Sequence, residues 1–93
     1  MSAGLTRASV PRLAAGVRLQ HSRARGGTVL LAPERVFTPD AVAVEVLELL
    51  DGARSVADVA AVLAASYDAD AATIERDVLA LLADLADKGV IAA

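Results

Sequence analysis

The sequence has no cysteine and no tryptophan, and only one phenylalanine, one tyrosine and one histidine among its 93 residues. Without cysteine there is no disulfide framework, no thiolate metal site and no thiol nucleophile, and a reducing cytoplasm is the expected compartment. With so few aromatic rings, the core has to be built from aliphatic side chains. No apolar run approaches the roughly 18 residues that a membrane span needs, so no membrane partner is expected. No apolar segment of secretory length follows Met1, and no signal peptide is expected either.

What the chain does have is alanine, valine and leucine. Hydrophobic residues make up 56% of it, a composition that favours helices. The length suits one domain with one core. A net charge of −3 hides an asymmetry: residues 1–35 hold six arginines against the single acid Glu34, while residues 36–93 hold eleven acids against Arg54, Arg76 and Lys88. Such a division marks either a basic arm for nucleic acid or two surfaces of opposite sign that face different partners. Six dispersed arginines fall short of the clustered stripe that phosphate binding needs, which favours the second reading.

Hydrophobic periodicity predicts the elements. Val17, Leu19 and His21 alternate with Arg18, Gln20 and Ser22 in the period-two pattern of a half-buried strand. Arg25, Gly26 and Gly27 supply a turn, and Thr28 to Ala32 returns as a second strand that Pro33 ends. Glu34 to Phe37 forms a third, short strand. Pro33 and Pro39 flank it, and prolines on both sides suit an edge strand.

From Thr38 the period becomes helical. Thr38 is placed to cap a first helix with Pro39 at its first position and Val42, Val46, Leu49 and Leu50 on the inner face, and Gly52 stops it. Ser55 caps a second helix with Asp58 in a capping-box position, and that helix runs to about Tyr67. Asp70 or Thr73 opens a third, with Ile74, Val78, Leu81, Leu82 and Leu85 as its stripe and Lys88-Gly89 as its end. Val90 and Ile91 close the core. The expected fold is α+β, a three-stranded antiparallel sheet followed by three helices. The short Gly52-Ala53-Arg54 link makes a winged helix-turn-helix-like architecture the nearest match. Residues 1–10 read as a flexible tail, leaving 11–93 as the domain.

No side-chain constellation suggests catalysis. His21 has no partner at metal-ligand or acid-base spacing, and Asp68 and Asp70 lack the remaining ligands of a calcium loop. Gly26 and Gly27 belong to no phosphate-binding pattern. Glu45, Glu48 and Asp51 on the first helix, and Asp77, Asp84 and Asp87 on the third, read as solvated faces. No nucleophile, base or metal set is available to an enzyme, and no cofactor is expected. A helix-turn-helix would raise DNA binding, but Asp68 to Lys88 carries six acids against two bases, and a negative face is repelled by phosphates. Nucleic acid is therefore not an expected partner.

The feature left is the edge strand Glu34 to Phe37 beside a third helix with more apolar positions than one core face requires. A partner peptide could add a strand to that edge and place its side chains in a groove walled by the helix. Alternatively, a loop or a second copy of the chain covers the edge.

Specific residues now point to a family. Pro11-Arg12-Leu13-Ala14-Ala15-Gly16-Val17-Arg18-Leu19, then Leu30-Leu31-Ala32-Pro33-Glu34-Arg35, then Leu47 to Gly52 with Ser55-Val56, resemble the PqqD family over about residues 11–91. The Leu-Ala-Pro-Glu-Arg segment followed by a helix ending in Asp51-Gly52 is the more specific part. The resemblance implies a non-catalytic peptide chaperone of pyrroloquinoline quinone biosynthesis. Its fold would be that of the recognition elements that bind leader peptides of ribosomally made, modified peptides. It implies two partners: the precursor peptide PqqA, and the radical SAM enzyme PqqE, which cross-links a Glu to a Tyr in that peptide.

In that family the peptide lies between the third strand and the third helix. By resemblance, Arg35, Val36 and Phe37 would be the strand's donors and acceptors, and Asp77, Val78 and Leu81 the helix-side contacts. With their neighbours Glu34, Thr38, Ile74 and Leu85 they make up the candidate peptide-binding set. One departure is Thr38-Pro39-Asp40, where many recognition elements carry a leucine in place of Thr38. Members also occur as dimers, so monomer and homodimer both stay open. The alternative functions are a recognition element of another modified-peptide pathway and a winged-helix DNA-binding regulator.

Overall fold

Where each element begins and ends follows from how its free backbone groups are satisfied. The computed structural model describes residues 4–24 and 26–93. Its elements are strands β1 (Arg12–Leu13), β2 (Arg18–Ser22), β3 (Gly27–Ala32) and β4 (Arg35–Phe37), helices α1 (Ala41–Glu48), α2 (Val56–Tyr67) and α3 (Ala71–Asp87), and a last strand β5 (Ile91–Ala92). The chain is α+β, and its antiparallel sheet in the order β2-β3-β4 precedes the three helices as the periodicities predict. Of the expected hairpin turn, Arg25 lies outside the described residues, and Gly27 belongs to β3.

In the sheet register Leu19 pairs with Leu30 and Leu30 with Phe37. Directly opposite residues share a face, so these three form one row, and all of them pack into the core, with Leu30 fully buried. His21, expected on the half-buried face, is exposed. The third strand begins at Arg35, one residue later than expected. Ala32 pairs with Arg35, so Pro33 and Glu34 are the two turn residues between them. Glu34 has a φ of 65°, the left-handed geometry that this turn position requires after a proline.

One pairing was not expected: β1 is antiparallel to β5, with Arg12 opposite Ala92 and Leu13 opposite Ile91. Two-residue strands at opposite ends of the chain carry no periodicity to read.

The helix caps explain most boundaries. In α1 the cap is Asp40, not Thr38: an Asp40 carboxylate oxygen accepts from the Ala43 N–H at 2.8 Å. Both residues are capping types, but Asp ranks above Thr, and Pro39 then precedes the cap instead of opening the helix. The helix also stops at Glu48, so Leu49 and Leu50 lie in the link. That link runs over residues 49–55, longer than the Gly52 to Arg54 turn on which the winged-helix comparison rested. In it, Asp51 accepts from the N–H groups of Ala53 and Arg54.

Ser55 and Asp58 form the expected capping box of α2. Asp70 caps α3 through Thr73. At the far end of α3, Gly89 donates to the Ala86 carbonyl and Val90 to that of Leu85, a Schellman motif with Gly89 at φ 79°.

Residues 4–10, expected as part of a tail, lie along α2 and α3. Val56 donates to the Ser9 carbonyl and Ala57 to that of Arg7, which satisfies two free N–H groups of α2's first turn. The Arg7 guanidinium reaches across to the Glu75 carboxylate on α3 at 2.8 Å. The core between sheet and helices is wholly apolar, built on Leu30, Leu47, Val56, Val59, Leu82 and Val90 among others.

Candidate functional site

Among the described residues the last strand of the three-stranded sheet pairs only with β3, leaving its other side as an edge. Alternation along β4 turns Arg35 and Phe37 one way and Val36 the other. Phe37 packs on the core, while Val36 is 46% exposed. Arg35 donates through Nη2 to the Lys88 carbonyl at 2.6 Å, and its guanidinium lies 5.1 Å from the centre of the Phe37 ring. Lys88 is the C-cap of α3, whose unpaired carbonyls carry partial negative charge, so a guanidinium is well matched there. The start of β4 is thereby tied to the end of α3.

The chain past β4 comes near α3 again at the start of α1. Asp40, five residues past Arg35, shares a groove with Ile74, Asp77, Val78 and Leu81 of α3. The five extended steps from Arg35 to Asp40 cover about 17 Å, and the eleven helical steps from Lys88 back to Asp77 also cover about 17 Å. From Arg35 at the end of α3 to Asp40 near its middle the chain thus travels in the sense opposite to the helix, and the groove begins at Asp40.

The groove has a volume of about 500 Å³. Asp40, Val42, Ala43 and Val46 wall it from the α1 side, Leu63 and Tyr67 from the end of α2, and the four α3 residues from the third side. It is mostly apolar. Val42, expected to face inward, is 54% exposed, because the buried face of α1 is Ala43, Val46 and Leu47. The Tyr67 hydroxyl donates to the Glu45 carboxylate, and this hydrogen bond to the neutral phenol holds the Tyr67 pKa above its ordinary value.

Two carboxylates break the apolar lining. Asp77 is exposed and makes no hydrogen bond or ion pair among the described residues, while Asp40 spends one oxygen on the α1 cap. Among the described residues no lysine, arginine or histidine lines the groove.

Four of the ten sequence-predicted residues, Ile74, Asp77, Val78 and Leu81, meet in this groove. Glu34, Arg35, Val36, Phe37 and Thr38 lie outside it, on the edge strand and the turns at its ends. Leu85 is buried in the core. Sequence reasoning missed the α1 and α2 walls. Val42 and Tyr67 were the available signal, an exposed valine and the sole tyrosine on two neighbouring helices.

A family model described as coenzyme PQQ synthesis protein D (PqqD) matches residues 27–91. The chain belongs to the PqqD family. A protein of Xanthomonas euvesicatoria pv. vesicatoria named PqqA binding protein is 54% identical over 88 residues, covering 95% of this chain and 96% of that one. A protein of Rhodopseudomonas palustris with the same name is 53% identical over 83 residues, covering 89% and 81%.

Two solved PqqD structures are also similar. One is the solution structure of the PqqD truncation of Methylobacterium extorquens PqqCD, described as a functional, stand-alone recognition element for ribosomally synthesized, modified peptides. It superposes with a TM-score of 0.84 at 48% identity over 97% of this chain and 96% of that one. The crystal structure of PqqD from Xanthomonas campestris superposes less closely, with a TM-score of 0.57 at 52% identity over 90% and 93%. Nearly equal sequence identity thus accompanies quite different superpositions.

Proposed function

We propose that this chain is a non-catalytic peptide chaperone of pyrroloquinoline quinone biosynthesis, which binds the precursor peptide PqqA in the cytoplasm and presents it to the radical SAM enzyme PqqE. The carrying observation is the edge of β4, unpaired among the described residues and tied at Arg35 to the end of α3, with an apolar groove that begins at Asp40, three residues past the strand. Arg35 and Phe37 direct their main-chain groups to Ala32 and Leu30, so an extended peptide gains its main-chain hydrogen bonds chiefly from Val36 between them, while alternate side chains turn toward Ile74, Val78 and Leu81. Glu34 and Thr38 bound the strand that the peptide would copy. The names of the relatives support PqqA as the peptide. The only histidine stands on β2, two strands from this edge, so the groove offers carboxylates and one phenol but no imidazole base.

Titration of isotopically labelled protein with PqqA tests the reading. Amide shifts are expected over residues 34–38 and 74–85, with a second set of changes when PqqE is added. Saturating PqqA without movement in those two segments rules the site out.

A further inference from the structure

The groove has a chemical character that strand addition alone does not use. Its lining is apolar except for Asp40 on the α1 wall and Asp77 on the α3 wall, with Glu45 bound to Tyr67 close by. Asp77 has no partner among the described residues, and Asp40 keeps one carboxylate oxygen beyond its capping bond. Among the described residues no cation lines the groove to neutralise either of them. A helix cap and a solvated helix face account for each carboxylate separately. They do not account for both lining the same apolar cleft, which begins three residues past the open strand.

We infer that the groove selects a peptide segment in which a branched or aromatic apolar side chain stands within a residue or two of a lysine or arginine. The apolar side chain fills the space between Val42, Tyr67, Ile74 and Leu81, and the cation pairs with Asp77 and the free oxygen of Asp40. This rests on the peptide-binding reading above and adds the chemistry of the residues recognised. In an extended peptide residues two apart share a face, so with an apolar residue seated in the cleft the residue two places along also faces this wall, where Asp40 and Asp77 are among the lining residues. Complementary charge there acts mainly on the encounter rate and on the choice of partner. An acidic residue at the same peptide position would be repelled.

The test uses the full chain and synthetic PqqA. Asp40→Asn and Asp77→Asn are combined, because asparagine caps a helix about as well as aspartate and the fold is preserved. Binding is measured at low and at high salt, with a thermal melt of the variant as the folding check. The double variant is expected to bind about three- to tenfold more weakly at low salt, with most of the difference gone at high salt. Replacing the lysines and arginines of PqqA one at a time with glutamine should give, at one position, a loss that the double variant no longer shows. Equal affinity and equal salt dependence in parent and variant overturn the inference while leaving peptide binding intact. Failure of the unaltered chain to bind PqqA removes both, and is seen before any substitution is made.

Discussion

The Arg35 guanidinium donates to the Lys88 carbonyl at 2.6 Å, joining residues 53 positions apart and pinning the edge strand to the end of the third helix. The same side chain lies over the Phe37 ring two residues on, so its position is set from two directions. This arginine thus adds a polar tie between strand and helix to the core packing of Phe37 and Leu30 against Val78, Leu82 and Leu85.

Arg35→Ala should therefore lower stability by about 0.5–1.5 kcal/mol, the usual worth of one such hydrogen bond with a weak cation–π contact. It should weaken PqqA binding as well. Arg35→Lys should recover part of both, since it keeps the charge but loses the planar fork. Urea unfolding and peptide titration of the two variants provide the comparison.

Acid should loosen the first turn of α2 and the link before it. Asp58 accepts from the Ser55 N–H, and Asp51 from those of Arg54 and Ala53, and these bonds hold both carboxyls below the usual carboxylate range. A folded-state pKa lowered in this way contributes stability that is present above the ordinary carboxylate pKa and lost as pH falls through the lowered values. Urea midpoints measured from neutral pH downward should fall in that acid window. The fall should be shallower in an Asp51→Asn, Asp58→Asn variant.

Tyr67 is the only tyrosine, so its ionisation can be followed directly by ultraviolet absorbance. Its midpoint should lie above that of a free phenol, because Glu45 accepts from the neutral hydroxyl. Stability from this bond is complete below the ordinary phenol pKa and is lost as pH rises through the raised one. Glu45→Gln should bring the midpoint down toward the ordinary value, and a midpoint unmoved by that change would mean the bond does not form in solution.

Core and groove should separate under substitution. Leu82 is fully buried, and Leu82→Ala should cost about 2–5 kcal/mol, a large part of what a domain of this size has. Val42 is more than half exposed, and Val42→Ser should change stability by no more than about 0.5 kcal/mol while weakening PqqA binding. Chemical denaturation and peptide titration on the two variants check both halves of the contrast.

The second and third helices were legible because their ends are written in local chemistry: Ser55 with Asp58, Asp70, and Gly89. The first helix was not, for two reasons. Thr38 and Asp40 both suit a cap. Apart from Glu45 and Glu48, the segment from Ala41 to Leu50 is apolar, so two overlapping stripes can be drawn on it. Choosing Val42, Val46 and Leu49 over Ala43, Val46 and Leu47 turned the helix by about one residue and hid the α1 wall of the groove. The α3 residues Asp77, Val78 and Leu81 were named from the family resemblance, beside an apolar stripe on that helix broader than one core face requires. The edge strand was found from its flanking prolines. Which helices converge opposite that strand depends on tertiary packing, and a pattern read along one segment does not contain it.

The β1–β5 ladder makes the two ends of the chain depend on each other. Leu13 and Ile91 are 78 positions apart, so this pair is among the most non-local in the molecule, and its loop closes at the full entropic cost. Arg12 and Leu13 have no strand to join until nearly the whole sequence has been synthesised. A chain cut short before Val90 would lack two core side chains and also leave its own first strand unpaired. Folding of this domain should accordingly be slower than its helix content suggests, and damage at one end should be felt at the other.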